Sequence, residues 1–133
     1  MLSRDQLLEI DYYLRLTRTL EERLVALFRQ AKVIGGLYRS LGQEGESVAA
    51  AYALDYKQGD VVQPLIRNLG SILVAGAKPV DVIKQYMAKG DSPTRGRAIS
   101  HGRPASSLRR TLSRTPVATF AISIVLGNRC NIL

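Results

Sequence analysis

The chain contains few of the features that would place a protein outside the cytoplasm. Its 133 residues include one cysteine and no tryptophan, and its longest apolar run, "VATFAISIVL", is far shorter than the ~18 residues a membrane-spanning helix needs. A single cysteine excludes an internal disulfide and fits a reducing compartment. Asp5 and Glu9 interrupt the first ten residues, which therefore lack the apolar stretch of a secretory signal. We expect a cytoplasmic protein without a membrane anchor.

Acidic residues are missing from the last part of the chain. The net charge is +8, from 19 Lys and Arg against 11 Asp and Glu, but all 11 acids lie within residues 1–96. Residues 97–133 contain six arginines and no acid. This change in composition predicts a domain over 1–96 and an atypical basic tail over 97–133. We interpret the tail as disordered, or as an out-of-frame continuation of a truncated gene.

The basic tail raises the alternative of a nucleic-acid-binding protein. Clustered arginines bind polyanions, but in this tail no aromatic side chains alternate with them, as they do on single-strand-binding surfaces. Residues 1–96 are also nearly balanced in charge. A small basic helical protein that binds nucleic acid or another subunit is kept as an alternative, with nucleic acid as the less favoured partner.

Apolar residues before residue 90 recur at helical spacing, so the predicted fold class is mainly α. A long helix is expected over about 4–31, starting at a capping box formed by Ser3 and Gln6 and ending at Gly35-Gly36. Its inner face would carry Leu7, Ile10, Leu14, Leu20, Leu24 and Leu27.

Three shorter helices are expected after the glycine pair. Ser40 and Gln43 form the pattern of a second capping box, which would begin a small-residue helix over about 42–55. Helices over 67–77 and 78–90 would follow. The last of these has Pro79 at its first position and would place Val80, Ile83 and Met87 on its inner face.

Two positions could contact an anionic ligand. Arg67 follows an apolar run at a predicted helix start, where free N–H groups and a guanidinium together favour an anion. Tyr38 lies in the glycine-bounded segment "GGLYRSLGQEG". From the residues alone, Arg67 is equally well explained as a surface arginine, and Tyr38 is better explained as an ordinary loop residue.

The same segments resemble a known family. The order of "EERLVALFRQAK", a glycine turn, a "GQE" helix, a "GDVV" turn, "IRN" before a glycine-containing helix and "SPTRG" is similar to the N-terminal part of the α subunit of thiamine-diphosphate-dependent 2-oxo acid dehydrogenases. These are the decarboxylating components of the pyruvate, branched-chain and acetoin-type complexes. The resemblance covers about residues 10–97.

The resemblance implies a fold, a reaction, a cofactor and a partner. The chain would be the N-terminal helical segment of an α/β thiamine-diphosphate-binding fold that lacks most of its parallel sheet. The family oxidatively decarboxylates a 2-oxo acid and passes the acyl group to a lipoyl carrier, using thiamine diphosphate with Mg²⁺ between α and β subunits of a heterotetramer. By position, Arg67 would contact the diphosphate, Ile66 replaces an aromatic neighbour, and Tyr38 replaces a cofactor-facing histidine of some members.

The chain departs from the family after residue 97. It has no G-D-G motif, which in the family brings Mg²⁺ and the diphosphate together. We therefore expect little cofactor binding and no activity from the isolated chain. A long first helix without its sheet would also expose apolar surface, which favours binding to another protein subunit.

Overall fold

The computed structural model describes residues 2–56, 60–62 and 64–96, together with the backbone of 124–125. Four helices and two short antiparallel strands, in which Val61 pairs with Val125, make up its regular structure. These elements are α1 (Arg4–Arg29), α2 (Glu44–Tyr52), β1 (Val61–Val62), α3 (Leu69–Val74), α4 (Pro79–Tyr86) and β2 (Ile124–Val125). The mainly helical class is confirmed for the described residues. The domain boundary after residue 96 and the nature of the tail stay predictions, because the tail lies almost entirely outside them.

The start of α1 confirms its capping box. The Gln6 N–H donates to Ser3 Oγ at 3.2 Å, and the Ser3 N–H donates to Gln6 Oε1 at 2.8 Å. The predicted stop at Gly35-Gly36 is wrong, because Ala31 already takes the left-handed conformation at φ 55°. The Lys32 N–H donates to the Leu27 carbonyl at 3.0 Å and closes the helix end. A backbone hydrogen bond thus holds a non-glycine residue in this conformation.

The second capping box is also wrong. The Ser40 side chain bonds to Glu21 of α1, and α2 begins after Gln43, whose side chain makes no capping hydrogen bond. Ser40 is almost fully buried, and its hydroxyl bonds to the Glu21 carboxylate, which is distant in the sequence, instead of capping α2. Helix α2 is accordingly shorter than the predicted span of 42–55.

The predicted inner face of α4 is confirmed in part, because Ile83 packs against the core cluster. Pro79 does occupy its first turn. Val80, assigned to the inner face, is 51% exposed, whereas Val82, Gln85 and Tyr86 are buried. The helix has eight residues, and both Val82 and Tyr86 belong to the core cluster. The chain leaves α4 through a left-handed Ala88, φ 48°, before Gly90 is reached.

The core lies where α3 and α4 cover the C-terminal half of α1. Leu24 lies at the centre of this core and has no exposed surface. The cluster around it consists of Leu20, Leu27, Val33, Leu69, Leu73, Val82 and Tyr86. Helix α3 also touches α2, where the Ser71 hydroxyl donates to the Ser47 carbonyl at 2.8 Å. This packing fixes the two connecting segments on which the candidate ligand residues lie.

Candidate functional site

The segment between α1 and α2, residues 33–43, is here called the glycine loop, and it is attached to the helices at several points. The Ile34 N–H donates to the Tyr86 carbonyl at 3.0 Å. Leu37 packs against the hydrophobic core. The Ser40 N–H donates to Glu21 Oε1 at 2.8 Å, and the Ser40 hydroxyl donates to the same oxygen. Between the last two attachments Tyr38 is 57% exposed, so the loop presents this side chain to solvent.

Glu21 is the buried carboxylate beneath the glycine loop. Only 3% of the residue is exposed, and its Oε2 atom has no hydrogen-bond partner among the described residues. The Nε atom of Arg39 lies 3.9 Å from that oxygen. Burial, reinforced by the negative charge of Glu21, raises the pKa of Tyr86. Sequence reasoning missed Glu21, although its position four residues after Thr17 and three before Leu24 places it on the inner face of α1.

A second carboxylate ties α2 to α1. Glu44 is buried, and its Oε1 accepts a hydrogen bond from Arg18 Nε at 2.6 Å while its Oε2 accepts the Gly42 N–H at 2.8 Å. The hydrogen bond from Arg18 holds the pKa of Glu44 below its ordinary value, against the opposing effect of burial. Arg18 of α1 is therefore the ion-pair partner of Glu44, which lies at the start of α2.

Arg67 lies in a tight turn before α3. The Leu65 N–H donates to Asn68 Oδ1 and the Asn68 N–H donates back to the Leu65 carbonyl, each at 3.1 Å. The Arg67 side chain is exposed and forms no ion pair with any other described residue. The helix begins at Leu69 rather than at the predicted residue 67, and it has only six residues. Positive charge at this turn comes from the guanidinium, since so short a helix contributes little.

The predicted ligand residues lie on two different connections. Tyr38 belongs to the glycine loop, where its ring edge lies 3.0 Å from the position a Cβ on Gly36 would occupy. Ile66, half-buried, and Arg67 belong to the turn before α3. Their role in cofactor binding stays a prediction.

Two cavities among the described residues involve none of these three side chains. An open groove of about 580 Å³ runs along α1 and the start of α2. Its lining residues are Asp11, Leu14, Arg15, Arg18, Thr19, Glu44 and Gly45. A space of about 20 Å³ between α2 and α3 has room for little more than one water molecule.

The described residues contain neither a metal-binding cluster nor a membrane span. No group of three or more His, Cys, Asp or Glu side chains in this part of the chain could hold a metal ion. None of the helices described is both long enough and apolar enough to cross a bilayer.

Comparison with known proteins gives one informative match. The chain is 32% identical over 126 residues to the 2-oxoisovalerate dehydrogenase subunit alpha of Bacillus subtilis (strain 168). The match covers 90% of this chain and 38% of that subunit, so the chain spans well under half the length of its relative. Because the match covers more than 96 residues of this chain, it includes part of the basic tail. No family model matches the chain, and no solved structure matches it significantly. The similarity supports a distant relationship to this kind of α subunit.

Proposed function

We propose that the chain is a fragment of the α subunit of a 2-oxo acid dehydrogenase and supplies the diphosphate side of a thiamine diphosphate site. A β subunit of the same enzyme would complete the site in a heterotetramer of two α and two β subunits. The observation that carries the proposal is Arg67, an exposed guanidinium on a turn fixed by Asn68 and without an ion pair among the described residues. The match to a 2-oxoisovalerate dehydrogenase subunit alpha supports the same assignment.

The residues present fit the diphosphate end of the cofactor. A diphosphate is bound by fixed cations and hydrogen-bond donors, and Arg67 provides five N–H donors in a planar fork. The exposed Tyr38 hydroxyl adds a donor, whereas Ile66 offers only apolar contact. When bound, thiamine diphosphate supplies the carbanion that attacks the 2-oxo group. The part played by this chain is to bind and orient the cofactor.

The residues present do not fit Mg²⁺. The chain lacks the G-D-G motif, and the described residues include no cluster of metal-binding side chains. Under this proposal the metal ligands come from sequence that this chain does not contain. The reaction, oxidative decarboxylation with acyl transfer to a lipoyl carrier, would therefore need those residues as well as the β subunit.

A chimera separates this proposal from a purely structural similarity. Residues 1–96 would replace the matching segment of the Bacillus subtilis α subunit, and thiamine diphosphate with Mg²⁺ would be titrated into the chimera assembled with its β subunit. We expect Arg67→Met to weaken cofactor binding about 10- to 100-fold, the range for losing a hydrogen bond to a charged group. Binding by the unassembled 133-residue chain should be weak or absent.

The matched control for Arg67→Met is Arg23→Met. Arg23 is an exposed arginine on α1, so its replacement removes the same charge and the same side-chain volume elsewhere on the domain. Equal loss of cofactor affinity in both variants would contradict the proposal, as would unchanged affinity in Arg67→Met. Micromolar binding by the chain alone would contradict the requirement for further metal ligands.

A second candidate, a subunit-interaction protein, is favoured by the first turns of α1. Leu7, Leu8 and Tyr12 are 54%, 59% and 58% exposed, although the helical pattern predicted Leu7 to be on the inner face. Helix α2 reaches this end of α1 through the Tyr52 hydroxyl, which donates to Glu9 Oε2 at 2.6 Å, but the described residues leave Leu7, Leu8 and Tyr12 more than half exposed. A β subunit of the proposed enzyme is the partner that the relative suggests. Nucleic-acid binding depends on the tail and stays the less favoured alternative.

A further inference from the structure

The buried carboxylate of Glu21 is only half satisfied. Its Oε1 atom receives two hydrogen bonds from Ser40, one from the backbone and one from the hydroxyl. Its Oε2 atom is buried without a hydrogen bond in the described part of the chain. Removing a carboxylate from water is unfavourable unless it is paired, so Oε2 requires a cation or donor.

Within the described part of the chain, Arg39 is the cation at ion-pair distance from this oxygen. Its Nε atom is 3.9 Å from Oε2, which is within ion-pair range but longer than the 2.7–2.9 Å of a charge-assisted hydrogen bond. About a third of the Arg39 side chain is exposed, so it can move by the small distance required. Two other titratable groups, Tyr86 and Arg18, also interact electrostatically with Glu21, and Arg18 forms its hydrogen bond with Glu44.

We propose that Glu21 is a positioning residue that holds the glycine loop from both of its carboxylate oxygens. Oε1 fixes Ser40 and Oε2 retains Arg39, so two consecutive residues of the loop are attached to one side chain of α1. Tyr38, the next residue towards the N-terminus, is thereby kept at the surface. The importance of Tyr38 for a cofactor rests on the proposed function, but the attachment of the loop does not.

The exposure of the loop residues agrees with this arrangement. Tyr38 is 57% exposed, Arg39 lies over the carboxylate with a partly exposed side chain, and Ser40 is 1% exposed. Leu37, packed against the core, provides the attachment on the other side of Tyr38. Loss of the Arg39 contact should therefore loosen the Tyr38–Arg39 peptide bond while the core stays intact.

Chymotrypsin cleavage after Tyr38, followed by mass spectrometry on the full chain, tests the proposal. When opening is fast relative to cleavage, the rate follows the population of the open loop. We expect Arg39→Gln to increase this rate roughly 3- to 10-fold, within the range of coupling between contacting residues. Arg39→Lys should restore most of the protection. Cleavage after Tyr56, which lies outside the loop, should not change.

A double-mutant cycle removes the direct effect of residue 39 on the protease. In a Glu21→Gln background, where the charge is gone but Ser40 can still donate to the amide oxygen, Arg39→Gln should have no further effect. Arg23→Gln, which removes an exposed arginine of α1 two residues after Glu21, should leave the rate unchanged.

Three results would overturn the proposal. The first is the same increase from Arg39→Gln in both backgrounds, and the second is equal acceleration after Tyr38 and Tyr56. The third is equal rates for Arg39→Lys and Arg39→Gln, a comparison that needs only the wild-type Glu21 and so remains decisive if Glu21→Gln does not fold. Because no cofactor is added, failure of the diphosphate proposal would not affect the outcome.

Discussion

Replacing Gly70 with alanine tests how closely α3 approaches the other helices. A Cβ atom at this position would lie 2.5 Å from Ser47 Oγ, 2.7 Å from Val48 Cγ2 and 3.4 Å from Thr17 Oγ1. The first two distances are shorter than any ordinary contact of a carbon atom, so either α3 or the neighbouring side chains must move. Such a movement is unfavourable, because Ser47 is buried and its carbonyl accepts a hydrogen bond from the Ser71 hydroxyl of α3.

The expected cost follows from two opposing effects. Overpacking a well-packed core lowers the free energy of unfolding by about 1–3 kcal/mol. Alanine in place of glycine within a helix raises it by up to about 1 kcal/mol. We therefore expect Gly70→Ala to lower the free energy of unfolding by roughly 1–2 kcal/mol, measured by urea unfolding with circular dichroism. Part of this loss should disappear in a Ser47→Ala background, where the shortest contact is absent.

Gly45 provides the matched control. It is also a helical glycine, in the first turn of α2, but apart from its chain neighbours and its own helix backbone no described atom lies within 4 Å of its ideal Cβ position. The same substitution, Gly45→Ala, should therefore leave stability unchanged or raise it by up to about 1 kcal/mol. A lower free energy of unfolding for Gly70→Ala, together with an unchanged or higher one for Gly45→Ala, would show that the effect at Gly70 comes from packing. A Gly70→Ala variant as stable as the wild type would refute the close approach of α3.

Two further predictions concern the ends of α1 and α2. Leu8→Glu should reduce co-elution with the β subunit of the Bacillus subtilis enzyme in size-exclusion chromatography. Val80→Glu, which alters a side chain of α4 that is also more than half exposed, should not, and equal behaviour of the two variants would contradict a role for α1. Glu44→Gln should lower the urea midpoint at neutral pH. The pKa of Glu44 is lowered in the folded chain, so the unfolded chain takes up its proton first, and the stability that this charge contributes is present above its ordinary pKa of 4.5 and is lost as the pH falls through the lower folded value. The difference from wild type should therefore shrink in acid, and a constant difference at all pH values would argue against the ion pair.

Local sequence patterns predicted those features that depend on neighbouring residues. The Ser3–Gln6 capping box and the position of Pro79 follow from three-residue spacing and from the missing N–H of proline, and both are confirmed. The same spacing at Ser40 and Gln43 misled, because Ser40 bonds to a carboxylate 19 residues earlier in the chain. A pattern that looks only along the chain cannot weigh such a tertiary partner against a local cap.

The candidate site shows the same division between local and distant effects. The sequence pattern indicated Tyr38 and Arg67, and the family resemblance added Ile66. Tyr38 and Arg67 are exposed, and the ligand role of all three residues stays a prediction. Glu21 was missed because its importance depends on the loop that folds back over it. The predicted helix start at Arg67 was early by two residues, since Leu65 and Asn68 form a turn instead.

Tyr38 and Arg67 are attached to the same helical core by different contacts. Glu21 and the Arg18–Glu44 pair attach the second half of the glycine loop and the start of α2 to α1. Arg67 is instead carried by the turn that leads into α3, which meets α1 and α2 at Gly70. A diphosphate that contacts both side chains would span this junction. Displacement of α3 by Gly70→Ala should therefore weaken cofactor binding in the chimera even though Gly70 contacts no ligand, whereas Gly45→Ala should leave it unchanged.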